Sequence, residues 1–174
     1  MAEPLTARAR EIVVAARELL DEHGVEAMTM RRLAERLGIR APSLYKHLPD
    51  KAALEIAVIA TGLEDLAVAL EEARHAAAEP AAALAAAYRA FALAHPDLYL
   101  LMTNRPLPRE RLPAGVEDRA AAPVLRAVGS PARARAFWAF AHGMVVLELA
   151  GRFPPDADVD TAWRAGIDAF RSRD

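Results

Sequence analysis

The chain has 174 residues, no cysteine, 54% hydrophobic and 26% charged residues, and a formal charge of −2. Without cysteine it has no disulfide framework, thiol nucleophile or thiolate metal site, and its near-neutral balance is not that of a generally basic nucleic-acid coat. Alanine supplies 42 residues and arginine 20 of the 22 basic ones, so straight-chain helix formers dominate, β-branched residues are sparse, and an all-α fold is expected.

The charge is uneven along the chain. Residues 28–51 carry Arg31, Arg32, Arg36, Arg40, Lys46 and Lys51 against Glu35 and Asp50, a net +4, whereas residues 52–174 and 1–27 each sum to −3. Such a segment is either a nucleic-acid-reading element or a solvated helix face, and periodicity has to separate the two. Arg8, Arg10, Glu11, Arg17 and Glu18 interrupt the apolar pattern at the start, so no signal-peptide core is expected. His142 and Glu148 break the most apolar stretch, 137–151. No membrane span is therefore expected, and the cytoplasm is the expected location.

In chain order, Ile12, Ala15, Ala16, Leu19 and Leu20 recur at helical spacing before Gly24, which predicts a first helix from Pro4 to His23. Thr29 can cap a short second helix bearing Met30, Leu33, Ala34 and Leu37 and stopped by Gly38. A third spans Ala41 to Leu48, with Pro42 in its tolerant first turn and Pro49 as its stop. Two short helices around a Gly38-Ile39 turn, behind a longer one, make a helix-turn-helix. At about 100° per residue, facing Leu44 and Leu48 inward turns Pro42, Ser43 and Lys46 outward and leaves Tyr45 and His47 on the flanks. In a major groove the outward face meets base edges and the flanks meet phosphate. Taken alone, Tyr45 would also read as a half-buried core aromatic.

The run from Thr29 to Lys51 combines a Thr-led second helix, a Leu37-Gly38-Ile39 turn, Ser43-Leu44-Tyr45-Lys46-His47 in the third helix, and Asp50-Lys51 opening a fourth. It resembles the DNA-binding domain of the TetR (tetracycline repressor) family. The resemblance implies that Arg31, Ala41, Pro42, Ser43, Tyr45, Lys46 and His47 reach DNA and that Lys51 contacts phosphate. Arg40 stands where that family usually has a capping Ser or Thr. It forgoes a cap worth about 1 kcal/mol but adds a cation beside the DNA. Ala41 offers only a methyl contact.

Beyond this segment, Ile56, Ile59, Leu63, Leu66 and Leu70 predict a fourth helix from Lys51 to Arg74. A fifth covers Pro80 to Ala94 and a short sixth starts at Pro96. Residues 103–115, with Pro106, Pro108 and Pro113, read as a loop that either borders a binding site or is surface slack. Helices seven (116–128), eight (132–150) and nine (159–171) complete an all-α chain of about nine helices. The expected division is a DNA-binding domain, 1–50, and an effector-binding and dimerisation domain, 51–174.

Helix eight is apolar on two faces, one with Phe137, Phe140, Met144 and Leu147, the other with Trp138, Ala141, Val145 and Leu149. Both faces belong to the chain's own core, or one meets a twofold partner; on the latter reading the interface is Trp138, Val145, Leu149, Trp163, Gly166, Ile167 and Phe170. Trp138, His142 and Gly143 resemble the signature of a TetR regulatory subfamily marked by Trp-His-Gly (WHG). Candidates for an effector pocket are Tyr88, Phe91, Tyr99, Met102, Phe137, Phe140 and His142, each also readable as core. His142 has no second histidine three or four residues away, so a hydrogen-bonded core histidine is the plainer reading than a metal ligand. No HExxH, GxSxG, glycine-rich phosphate loop or catalytic carboxylate pair occurs, so no enzyme, metal or cofactor is expected. The expected function is a homodimeric DNA-binding transcriptional regulator, a repressor released from a palindromic double-stranded operator by a small-molecule effector. The alternative is a helical ligand-binding or protein-interaction module whose helix-turn-helix is vestigial.

Overall fold

A computed structural model describes residues 5–170. These residues form nine α-helices and no strand: α1 (Ala7–His23), α2 (Met30–Arg36), α3 (Ala41–Leu44), α4 (Lys51–Ala76), α5 (Pro80–Ala94), α6 (Pro96–Thr103), α7 (Val116–Val128), α8 (Pro131–Leu149) and α9 (Val159–Asp168). The helix ends expected at Pro4 and Arg171 lie outside the described residues. Thr6 sets the start of α1, its Oγ1 accepting from the Ala9 N–H at 3.1 Å, as a capping hydroxyl should. The third helix is shorter than expected. Only Ala41–Leu44 is α-helical, and residues 45–47 form a turn. No described helix is long and apolar enough to cross a membrane.

By compactness the chain does not divide at residue 50. One unit holds the residues up to Leu63 together with His95–Val116; the other holds Glu64–Ala94 and the residues from Glu117 on. The boundary thus falls inside α4.

In the first unit α1 packs against α2 and α6, and α2 against α3. Ile12, Ala16, Leu20, Leu33, Leu44, Leu54 and Leu98 are fully buried there. Gly62 lets α4 and α6 meet, because a Cβ at that position would lie 2.7 Å from Met102 Sδ.

In the second unit α5 packs against α8 and α9. Leu84, Phe137, Val145, Trp163 and Ile167 form its core, with edge-on ring pairs Phe137–Phe170 at 5.5 Å and Phe140–Trp163 at 5.6 Å, a favourable aromatic geometry. The Phe140 ring occupies the space where a Gly166 Cβ would stand. A polar clamp joins the three helices: Glu148 accepts from Arg89 Nε at 3.0 Å and from Trp163 Nε1 at 2.5 Å. Arg89 also donates to Asp160 at 2.5 Å. On α7, Arg119 and Arg126 pair with Glu64 and Glu71 of α4.

These contacts divide the expected dimer set. Val145, Trp163 and Ile167 are buried within their own unit, and the close approach permitted by Gly166 is to Phe140 of the same chain. Leu149 and Phe170 are half-buried. Trp138 stays outside, 52% exposed. Two apolar faces on one helix do not say from sequence which face a neighbouring helix will cover.

Candidate nucleic-acid interface

Three local devices build the helix-turn-helix. Thr29 Oγ1 accepts from the Arg32 N–H at 3.3 Å, capping α2. Gly38, at φ +63°, turns the chain through the left-handed region, and the Ile39 N–H reaches back to the Ala34 carbonyl at 3.0 Å. This six-to-one bond satisfies a carbonyl that the helix end would otherwise leave open. Arg40 precedes α3 in an extended conformation without a side-chain cap bond, so the cap is indeed forgone.

After α3 the N–H groups of His47 and Leu48 both donate to the Leu44 carbonyl at 2.9 Å. This shared acceptor tightens the last turn while keeping Leu44 and Leu48 buried. The opposite side is open. Arg40, Pro42, Lys46 and His47 are exposed and Ala41 and Ser43 are half-buried. Tyr45 is 48% exposed, which removes the reading of it as a core aromatic.

Asp50 caps α4, its Oδ1 accepting from the Ala53 N–H at 2.6 Å. Lys51 is the first residue of that helix, with Nζ 3.5 Å from Glu55 Oε1. The α4 start therefore offers a cation beside a helix N-terminus, an arrangement suited to a phosphate oxygen.

Not all the basic residues of this segment share that surface. Arg36 binds the Glu22 carboxylate through both terminal nitrogens, at 2.7 and 2.6 Å, and Glu18 through Nε at 3.1 Å. It ties α2 to α1. The hydrogen bond from Arg36 holds the Glu22 carboxyl below its ordinary range. Arg31 is 85% exposed and lies 3.4 Å from Glu35, leaving most of its guanidinium in solvent.

The expected effector residues do not gather in one compact unit. Tyr99 and Met102 are buried in the first. In the second, Tyr88, Phe91 and Phe137 are buried and Phe140 and His142 are half-buried. The His142 ring stacks on Trp138 at 5.6 Å, and burial pushes its imidazole below the usual histidine value. The first unit also contains a cleft of about 240 Å³ between α4, α6 and the loop that follows. Met102 lines it beside Ile56, Ile59 and Leu101. The described residues hold no group of three or more His, Cys, Asp or Glu that could bind a metal.

Two residues near the α4 start escaped the sequence reading. Arg111 Nη2 lies 3.7 Å from Asp50 Oδ1, and Arg105 Nη1 lies 3.9 Å from Glu55 Oε2. The only sequence signal was the arginine content of the proline-rich loop.

A buried pair of leucines behind an exposed Tyr-Lys-His face, at the end of the second helix of a helix-turn-helix and in the turn that follows it, is the surface of a DNA-binding regulator. Comparison with known proteins gives the family. Residues 12–58 match the model of the bacterial regulatory proteins of the tetR family, and residues 81–170 match the tetracyclin repressor-like C-terminal domain. An uncharacterized HTH-type transcriptional regulator of Mycobacterium tuberculosis is 32% identical over 172 residues, covering 92% of this chain and 78% of that protein. A Rhodococcus protein of unknown function superposes with a TM-score of 0.77 at 30% identity, over 95% of this chain and 93% of the other. A TetR variant from Acinetobacter baumannii, solved with minocycline, gives 0.66 at 25% identity over 96% and 94%. The chain belongs to the TetR family of transcriptional regulators.

Proposed function

We propose that this regulator is a homodimeric repressor acting in the cytoplasm, bound to a palindromic DNA operator and released by a small-molecule effector. Residues 1–50 read DNA, and residues 51–174 bind the effector and pair the subunits. Lys46, with Pro42, Ser43 and the Ala41 methyl, faces base edges. Tyr45 and His47 donate to the flanking phosphates, and Arg31, Arg40 and Lys51 add charge on either side. The observation carrying this reading is the exposed Tyr45-Lys46-His47 face over buried Leu44 and Leu48.

The exposed Trp138 of α8, with half-buried Leu149 on the same helix, supplies the dimer contact, since an exposed Trp is a costly surface to leave in water and a strong anchor when covered. The effector is taken up by the body among Tyr88, Phe91, Phe137, Phe140 and His142, or beside Tyr99 and Met102. The minocycline bound by the TetR variant from Acinetobacter baumannii supports a small organic effector here. Binding shifts the DNA-competent population only as far as the effector prefers the other state.

Selection of bound duplexes from a random pool tests the proposal. The expected product is an inverted repeat with half-sites about one helical turn, or a multiple, apart. Failure to enrich any sequence, with ligand binding retained, would instead support a module with a vestigial helix-turn-helix.

A further inference from the structure

We propose that the loop between α6 and α7 is a second DNA-contacting segment, in which Arg105 and Arg111 bind backbone phosphates beside the start of α4. This rests on the reading of the chain as a DNA-binding protein and adds a surface that the helix-turn-helix does not contain.

Residues 104–115 hold Arg105, Arg109 and Arg111 against Glu110 alone, a net +2. The loop is anchored rather than slack. Leu112 and Val116 are buried, and the Arg111 and Leu112 N–H groups donate to the Pro108 and Arg109 carbonyls at 2.9 and 3.2 Å. This turn brings Arg111 to 3.7 Å from Asp50, the residue that caps α4, and Arg105 to 3.9 Å from Glu55. Glu55 is also the carboxylate beside Lys51. Three cations, Lys51, Arg105 and Arg111, thus gather around two carboxylates at the helix end assigned to phosphate.

The two arginine pairs are longer than a charge-assisted hydrogen bond, which runs about 2.7–2.9 Å. The side chains of Arg105 and Arg111 are 64% and 43% exposed. Each guanidinium therefore keeps donors for an incoming oxygen, and its planar fork matches phosphate in a bidentate manner. Asp50 and Glu55 would repel a duplex left to themselves. The arginines offset that repulsion and present a net positive edge. Contacts of this kind position the protein on the backbone and carry no base preference.

The test titrates the full chain against a labelled random-sequence duplex of about three helical turns, over salt from roughly 50 to 200 mM, the range in which counterion release is read. Relative to the native chain, R105A/R111A is expected to lose affinity on the order of tenfold at the lowest salt. Its log–log salt slope should be shallower by about 0.9 per lost contact. R105K/R111K should keep most of the slope, and R111Q alone should lose about one contact's worth. Thermal melts by circular dichroism check that each variant is folded. An unchanged slope in R105A/R111A, with or without weaker binding, overturns the proposal, because a merely structural loop leaves the slope intact. If the native chain itself shows no salt-dependent duplex binding, the underlying DNA-binding reading fails, and this proposal with it.

Discussion

At the scale of single residues, the proposed interface would separate positions that read sequence from positions that only hold the backbone. Lys51 sits at the α4 start beside Glu55, so Lys51→Ala should weaken binding uniformly across sequences and flatten the salt dependence by about one contact. Salt-series titrations on several duplexes check this. Charge counting placed Arg36 with the DNA-facing cations; the structure gives it to Glu18 and Glu22. Pairing across that much sequence is a tertiary fact that a net charge does not encode. Gly166 has the opposite history. Its permissive size was legible, but what fills the space is the Phe140 ring of the same chain, so Gly166→Ala should cost about 1–3 kcal/mol by overpacking, read by chemical denaturation. Glu71 is held at about 2, chiefly by the hydrogen bond from Arg74 and next by Arg126. A carboxyl whose folded value lies below its unfolded one stabilises the fold above the unfolded value and loses that contribution as pH falls. The difference in melting temperature between the native chain and Glu71→Gln should therefore be present near neutrality and close between about 4.5 and about 2.

At the scale of elements, helical periodicity, glycine stops and capping residues make the nine helices among the described residues legible, because each writes its apolar stripe and its punctuation locally. The helix-turn-helix is clearest, since the Thr29 and Asp50 side chains cap their helices and Gly38, free of a side chain, makes the left-handed turn. The end of α3 was not legible. Its last turn closes through a shared Leu44 carbonyl, and a switch from four-residue to three-residue bonding leaves no mark in hydrophobic spacing. Arg40 exposes a trade made within one element: it precedes α3 with no side-chain cap. Arg40→Ser should raise stability by about 1 kcal/mol through capping while weakening DNA binding and removing about one unit of salt slope. A denaturation curve and a salt titration on the same variant read the two effects. On α8 and α9 the sequence showed apolar faces without assigning them. Packing against α5 and the Glu148 clamp draw Trp163 inward, while Trp138 remains outside.

For the whole molecule, a formal charge of −2 conceals a basic segment; the structure ties Arg36 of that segment to Glu18 and Glu22 and brings Arg105 and Arg111 beside Glu55 and Asp50, and the proposal adds these two arginines to the DNA surface. Twofold pairing would place two such surfaces along one duplex. Trp138→Glu should then shift the chain toward monomer by at least about tenfold in dissociation constant, as expected for loss of a central aromatic anchor, and sedimentation measures that shift. On the proposed reading, the exposed face following α3 recognises sequence. The most direct measurement compares the native chain with Tyr45→Ala/Lys46→Ala on a duplex selected from a random pool and on a scrambled one. The native chain should prefer the selected duplex by about 10³ or more, and the double variant, still folded, should bind both nearly alike. An undiminished preference in the double variant would contradict that reading.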